Sequence, residues 1–281
     1  MTTQWTTETK GIGEYADVNG LNLYYETHGT GRPMILLHGG LGSGEMFGPI
    51  LPTLAEHHQV IAPDLQGHGR TTDIDRPITY PNLADDVAAF MDSVGLAKAD
   101  VFGYSMGAAT GLQLAIRHPE KVNKLVAASG AYDAGGWQPE FRAMIPQMTV
   151  EMFTNMPFAQ EYRKLAPNPD GFPALVSKLI ALEKEPMAWG EQAKAIKNPV
   201  LIITGDADAA TLEHSPPPFH LLGGGMMGDM GKPLPASRLA VLPATSHTAV
   251  ITQTDVLHAF IEPFLKGETP KSMFDTTAKA R

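Results

Sequence analysis

Five residues, Gly103-Tyr104-Ser105-Met106-Gly107, have the types and spacing to present a nucleophile. A Gly-x-Ser-x-Gly pentapeptide between a strand and a helix forms a sharp turn that lifts the serine hydroxyl clear of the backbone, and its small flanking residues avoid clashes. In a chain with 28 glycines the pentapeptide alone is weak, so its flanks must decide. Val101-Phe102 before it is a short buried-strand signal. Ala108, Ala109, Leu112, Leu114, Ala115 and Ile116 after it suit a helix packed closely on a sheet, and His118-Pro119 ends that helix.

A serine hydroxyl needs a base, and the base needs a third group to fix its tautomer and stabilise the imidazolium. Gly205-Asp206-Ala207-Asp208 follows one strand pattern and Pro243-Ala244-Thr245-Ser246-His247 follows the last. Of ten histidines, His247 alone joins a strand end to a short loop before a terminal helix. His57, His58, His118 and His258 fall in helical patterns and are expected at the surface. His214 and His220 carry no readable role. No His-Glu-x-x-His spacing occurs and cysteine is absent, so neither a metal site nor a disulfide framework is expected.

The elements that would position these groups alternate. Tyr15–Val18 and Leu21–Glu26 flank Asn19-Gly20, a strong hairpin signal. Strands follow at Met34–Leu37, Val60–Ala62, Lys124–Ser129, Pro199–Thr204 and Arg238–Leu242, with helical patterns over Met46–His57, Asn82–Val94 and Asp255–Lys266. Such alternation predicts an α/β fold with a mostly parallel sheet, and ligands in such sheets sit beyond the carboxyl ends of the strands. From 131 to 197 strand signals vanish, and a proline-interrupted, Met-rich helical stretch reads as an inserted cap. The expected division is a core of 1–130 and 198–281 around a cap of 131–197.

The chain of 281 residues is 43% hydrophobic, enough for one large core. A net charge of −9 with no Lys/Arg cluster argues against nucleic acid as a partner. The ten N-terminal residues lack the apolar region of a signal peptide and no apolar run reaches membrane-span length, so a cytoplasmic protein is the expectation.

With these motifs in order, the chain resembles the α/β-hydrolase family over nearly its whole length. The matching residues are His38-Gly39-Gly40, Asp64-x-x-Gly67-His68-Gly69-Arg70-Thr71, the serine turn, Gly205-Asp206-Ala207-Asp208 and His247. The resemblance implies an α/β-hydrolase fold with an N-terminal antiparallel hairpin, helices on both sheet faces and a helical cap, and it implies no cofactor. It implies a catalytic set of Ser105, Asp208 and His247, preferring Asp208 over Asp206, which would brace the loop, and over Asp133, which is read as a polar start to the cap. The oxyanion hole would use the backbone N–H of Met106 and of Gly40, or else Leu41. His38 and His68 are given structural roles.

Met144, Met148, Met152 and Met156 recur every fourth residue and would form one stripe on a continuous helix, which Pro146 and Pro157 oppose. The stripe suits either cap-to-core packing or, with Phe153, the wall of a substrate pocket over Ser105; Trp137, Phe141 and Phe158 add apolar lid material. The stretch from His214 to Pro235 reads as a surface loop. The leading expectation is a serine hydrolase cleaving a small-molecule ester of a small to medium apolar acyl group through an acyl-enzyme. A meta-cleavage C–C hydrolase, lactonase, perhydrolase or acyltransferase would use the same residues, and a ligand-binding receptor would use the scaffold alone. Monomer and homodimer stay open.

Overall fold

The computed structural model describes residues 11–212, 216–228 and 234–270. Eight strands, β1 (Ile12–Val18), β2 (Leu21–His28), β3 (Arg32–Leu37), β4 (His58–Pro63), β5 (Ala99–Tyr104), β6 (Val122–Ala128), β7 (Val200–Ala207) and β8 (Arg238–Ser246), form one sheet in the order β1-β2-β4-β3-β5-β6-β7-β8. β1 and β2 pair antiparallel around Asn19-Gly20, and β2 joins β4 antiparallel. All later pairings are parallel.

Side-chain alternation along the strands builds two cores. Ile35, Leu37, Val101, Leu125 and Ala127 pack toward helices α2 (Tyr80–Ser93) and α3 (Met106–Arg117). Met34, Leu36, Phe102, Val126 and Ala128 pack on the opposite face with Phe47, with Leu54 of α1 (Leu51–Ala55), and with Leu257, Ile261 and Phe264, which belong to the last helix (Thr254–Lys266). Both faces are covered, as a parallel sheet requires.

The helix expected over Met46–His57 is broken. Gly48-Pro49 separates a 3-10 turn, Gly44–Phe47, from the five residues of α1. His58 is consequently the first residue of β4 and buried, not a surface residue, with its Nε2 2.5 Å from Glu262 Oε1. His57 is exposed; His118 and His258 are half-buried. α2 begins two residues before the expected Asn82 because Thr79 caps it, its hydroxyl accepting from Asn82 N–H at 3.2 Å.

Between β6 and β7 the chain is helical: α4 (Pro139–Met144), α5 (Val150–Thr154), α6 (Pro157–Leu165), α7 (Phe172–Lys184) and α8 (Gly190–Ala193), with 3-10 turns between. The methionine stripe does not lie on one helix. Met144 ends α4, Met148 follows a 3-10 turn started by Ile145-Pro146, Met152 lies in α5, and Met156 precedes Pro157 of α6. In the stretch expected as a surface loop, Pro216–Leu221 forms a short helix, α9, while His214 lies outside the described residues. The remaining helices are α10 (His247–Val250) and α11 (Thr254–Lys266).

The contact between α3 and the sheet leaves no room for a side chain. A Cβ on Gly107 would lie 1.9 Å from the Leu37 carbonyl oxygen. Gly107→Ala is expected to lower stability by about 3 kcal/mol or to prevent folding, read as the urea midpoint beside that of Ala108→Gly, a helix change without a steric clash.

Candidate active site

Ser105 is the residue between β5 and α3, with φ 56° and ψ −117°. A non-glycine residue in this conformation is strained, and the surroundings must hold it there. Its N–H donates to Ala128 O at 2.9 Å, and its carbonyl accepts from Ala108 and Ala109 N–H at 2.9 and 3.1 Å. These bonds tie the turn to β6 on one side and start α3 on the other. The hydroxyl thus stands over the carboxyl ends of the strands.

His247 follows β8 and brings Nε2 to 3.0 Å from Ser105 Oγ. Its Nδ1 lies 2.7 Å from Asp208 Oδ1, beyond the end of β7. With the carboxylate accepting from Nδ1–H, Nε2 is left as the acceptor for the Ser105 hydroxyl. Asp208 is 3% exposed and well supplied with donors: Ser129 Oγ–H donates to Oδ2 at 2.6 Å and Ala210 N–H to Oδ1 at 3.1 Å. Burial alone would raise its pKa, but the bonds from His247, Ser129 and Ala210 outweigh it and hold the carboxyl below its usual value.

The competing carboxylates have other partners. Asp206 is exposed and accepts from Thr245 N–H at 3.0 Å, bracing the loop that carries His247. Asp133 caps the turn Ala134–Gly136, accepting from Gly135 N–H at 2.7 Å. Two groups not anticipated from the sequence also hold His247: Tyr104 O–H donates to the His247 carbonyl at 2.9 Å, and Trp137 stands edge-on to the imidazole with centroids 6.2 Å apart. Tyr104, one of the two variable residues of the pentapeptide, offered no signal beyond its place in it, and Ser129 was only the last residue of a strand pattern.

Met106 is the first residue of α3, so its N–H has no partner within the helix. Gly39, Gly40 and Leu41 pass beside it, with Leu41 at φ 63°. Two buried histidines support this loop. Leu65 N–H donates to His38 Nε2 at 3.0 Å, which leaves Nδ1–H to donate to Gly39 O at 2.8 Å. His68 donates through Nδ1 to Gln66 O at 2.9 Å, its ring centroid 4.9 Å from that of His38. Asp64 joins the loops after β3 and β4, accepting from Gly44 and Arg70 N–H, each at 2.8 Å.

Ser105 and His247 open into a cavity of ≈ 330 Å³. Its wall includes Met144, Met148, Met152, Met156, Phe141, Phe153 and Phe158 from the helical segment, and Leu179, Ile180 and Glu183 from α7. A second cavity of ≈ 230 Å³ shares Leu41, Met46 and Phe158 with it. Among the described residues no cluster of His, Asp and Glu could hold a metal ion, and no helix is long and apolar enough to cross a membrane.

Fold and site together have the form of the α/β hydrolases, with the serine turn after β5, an acid after β7 and a histidine after β8. The profile of the α/β hydrolase fold family matches residues 32–251, and the chain belongs to that family. A RutD protein of Caulobacter vibrioides, named as a carbamate hydrolase, is 41% identical over 113 residues, covering 38% of this chain and 42% of that relative. The chain thus matches about two fifths of that relative's length. A pimeloyl-[acyl-carrier protein] methyl ester esterase of Neisseria meningitidis serogroup B is 28% identical over 258 residues, 84% of this chain and 93% of the relative. Among solved structures, a meta-cleavage product hydrolase from Pseudomonas fluorescens IP01 superposes with a TM-score of 0.72 at 22% identity, covering 91% of this chain and 98% of the other.

Burial pushes the His38 pKa down to about 3 and that of His68 to about 4. Both are neutral when folded and protonate near ~6.5 when unfolded, so their contribution is intact above about pH 6.5 and is lost progressively as pH falls toward the folded values. Asp64, pushed up to about 6 by burial, protonates first in the folded chain and offsets part of this loss between about pH 6 and 4. The urea midpoint is expected to fall from about pH 7 to about pH 4, and less steeply in His68→Gln; equal slopes would contradict a buried neutral His68.

Proposed function

We propose that the protein is a serine hydrolase that cleaves carboxylic esters of small to medium apolar acyl groups. The observation that carries this reading is the continuous hydrogen-bonded chain from Ser105 Oγ through His247 to the buried Asp208, opening into an apolar cavity. The methyl ester esterase likeness, spanning most of both chains, supports it.

In this reading His247 Nε2 takes the Ser105 proton as Oγ attacks the ester carbonyl carbon. The oxyanion accepts hydrogen bonds from Met106 N–H and from Gly40 N–H, or Leu41 N–H. His247 protonates the departing alkoxide, leaving an acyl-enzyme. It then removes a proton from water, whose attack releases the carboxylic acid and restores Ser105. Asp208 orients the ring and stabilises the imidazolium throughout. No cofactor enters this scheme. Residues 131–197 serve as the cap that shapes the acyl site, on a core of 1–130 and 198–281, and Met144, Met148, Met152 and Phe153 contact the acyl chain.

The same groups would also serve C–C hydrolysis, a reading favoured by the likeness to a protein named as a meta-cleavage product hydrolase, or carbamate hydrolysis, named for the Caulobacter relative. p-Nitrophenyl esters of graded chain length are expected to show multiple turnover with an optimum at short to medium acyl groups. A vinylogous 1,5-diketone acid and an aryl carbamate are expected to react more slowly, and the opposite ranking would replace the ester reading. Ser105→Ala should lower kcat by roughly 10⁶-fold and abolish labelling by an active-site phosphonate. Asp208→Asn should lower it by roughly 10⁴-fold. Binding without turnover in the wild-type protein would make it a receptor.

A further inference from the structure

Glu183 lies on α7 and faces the cavity that holds Ser105 and His247. It is the one carboxylate among that cavity's lining residues, and the lining includes no lysine or arginine. Its Oε2 is shielded from solvent and has no hydrogen-bond partner among the described residues. Around it stand Leu179, Ile180, Leu182 and Val176 of the same helix, all on the same cavity wall.

A buried acceptor without a donor is unfavourable, and more so when charged. An apolar residue at this position would complete a wholly greasy wall without that penalty. Burial pushes the Glu183 carboxyl up to about 7, and the nearby His247 acts in the opposite direction. A ligand in the cavity that brings a donor to the Glu183 carboxyl gives it the partner it lacks, and a cationic donor also supplies the countercharge that the wall lacks.

Resting on the hydrolase reading above, we infer that Glu183 is a specificity residue that, among esters whose acyl group is an apolar methylene run, selects those ending in a hydrogen-bond donor, an ammonium group in preference to a hydroxyl. The apolar wall covers the methylene chain and Ser105 meets the ester at its near end. Product acids occupy the same site without reacting, so binding tests the inference apart from turnover.

The experiment measures calorimetric Kd values for ω-amino, ω-hydroxy and unsubstituted carboxylic acids of four to eight carbons, with wild type, Glu183→Gln and Glu183→Leu. At the best-fitting chain length, wild type is expected to bind the amino acid roughly tenfold or more tightly than the unsubstituted acid. Glu183→Gln keeps an acceptor but no charge, so it should lose the amino preference and keep the hydroxyl one. Glu183→Leu should lose both and favour the unsubstituted acid. The same ranking in all three proteins would overturn the inference, as would a wild-type preference for the unsubstituted acid. Turnover of the matching p-nitrophenyl esters separates the two readings. Absence of all turnover in wild type counts against the hydrolase, while turnover with a ranking indifferent to Glu183 counts against this inference alone.

Discussion

A serine held at positive φ is the constraint on which this molecule is organised. Ser105 adopts a conformation that an L-residue avoids, and the cost, about 1–3 kcal/mol for such a residue, must be met by its neighbours. The hydrogen bond to Ala128 and the start of α3 on the Ser105 carbonyl hold it. Both need the backbone of α3 to lie almost against β3 and β5. Gly103 and Gly107 make that approach possible, since a Cβ on either would fall within 2.2 Å of a backbone oxygen. The buried sheet, the small first turn of α3 and the exposed hydroxyl are one arrangement.

The other two loops are fixed by polar groups rather than by packing. Asp208 is buried yet carries donors on both oxygens, so its charge is matched before a ligand arrives. Asp206, two residues earlier, faces outward and ties its loop to that of His247. Strict alternation would put residues 206 and 208 on one face; β7 instead shifts register between Gly205 and Ala207 and ends there, so Asp208 turns inward while Asp206 stays outside. On the other side of Ser105, His38 and His68 are held neutral by burial, and the Leu65 N–H fixes the His38 tautomer.

What was legible in the sequence follows from how local each signal is. The Asn19-Gly20 hairpin, the buried strands and the serine turn rest on short-range patterns, and the mostly parallel sheet follows from alternating strands and helices, whereas the strand order emerged only in the structure. Strand-end positions pointed to Ser105, His247 and the Asp206/Asp208 turn, and the resemblance to the α/β hydrolases was needed to prefer Asp208. The break at Gly48-Pro49 was misjudged because an apolar run masked two helix-breaking residues, and His58 was placed at the surface with it. The four methionines were legible as a group but not as a geometry: four separate segments, not one helix, carry them to the same cavity. Glu183 gave no signal, because a glutamate in Leu-Glu-Lys-Glu looks like a solvated helix end. Only the packing of α7 against the cavity separates it from its charged neighbours.

The three hydrogen-bonded side chains also have an order in time. Ser105 precedes the long helical excursion between β6 and β7, whereas Asp208 and His247 follow it, and the Ser105–His247 bond spans 142 positions of chain. On a ribosome Ser105 therefore emerges well before His247, and non-local pairings of this kind form late in folding. β7 and β8 both complete the sheet and carry Asp208 and His247 at their ends. A nascent chain with a folded serine turn but no β8 has the Ser105 hydroxyl without its imidazole partner, so the hydrogen-bonded set of Ser105, His247 and Asp208 is complete only with the last strand.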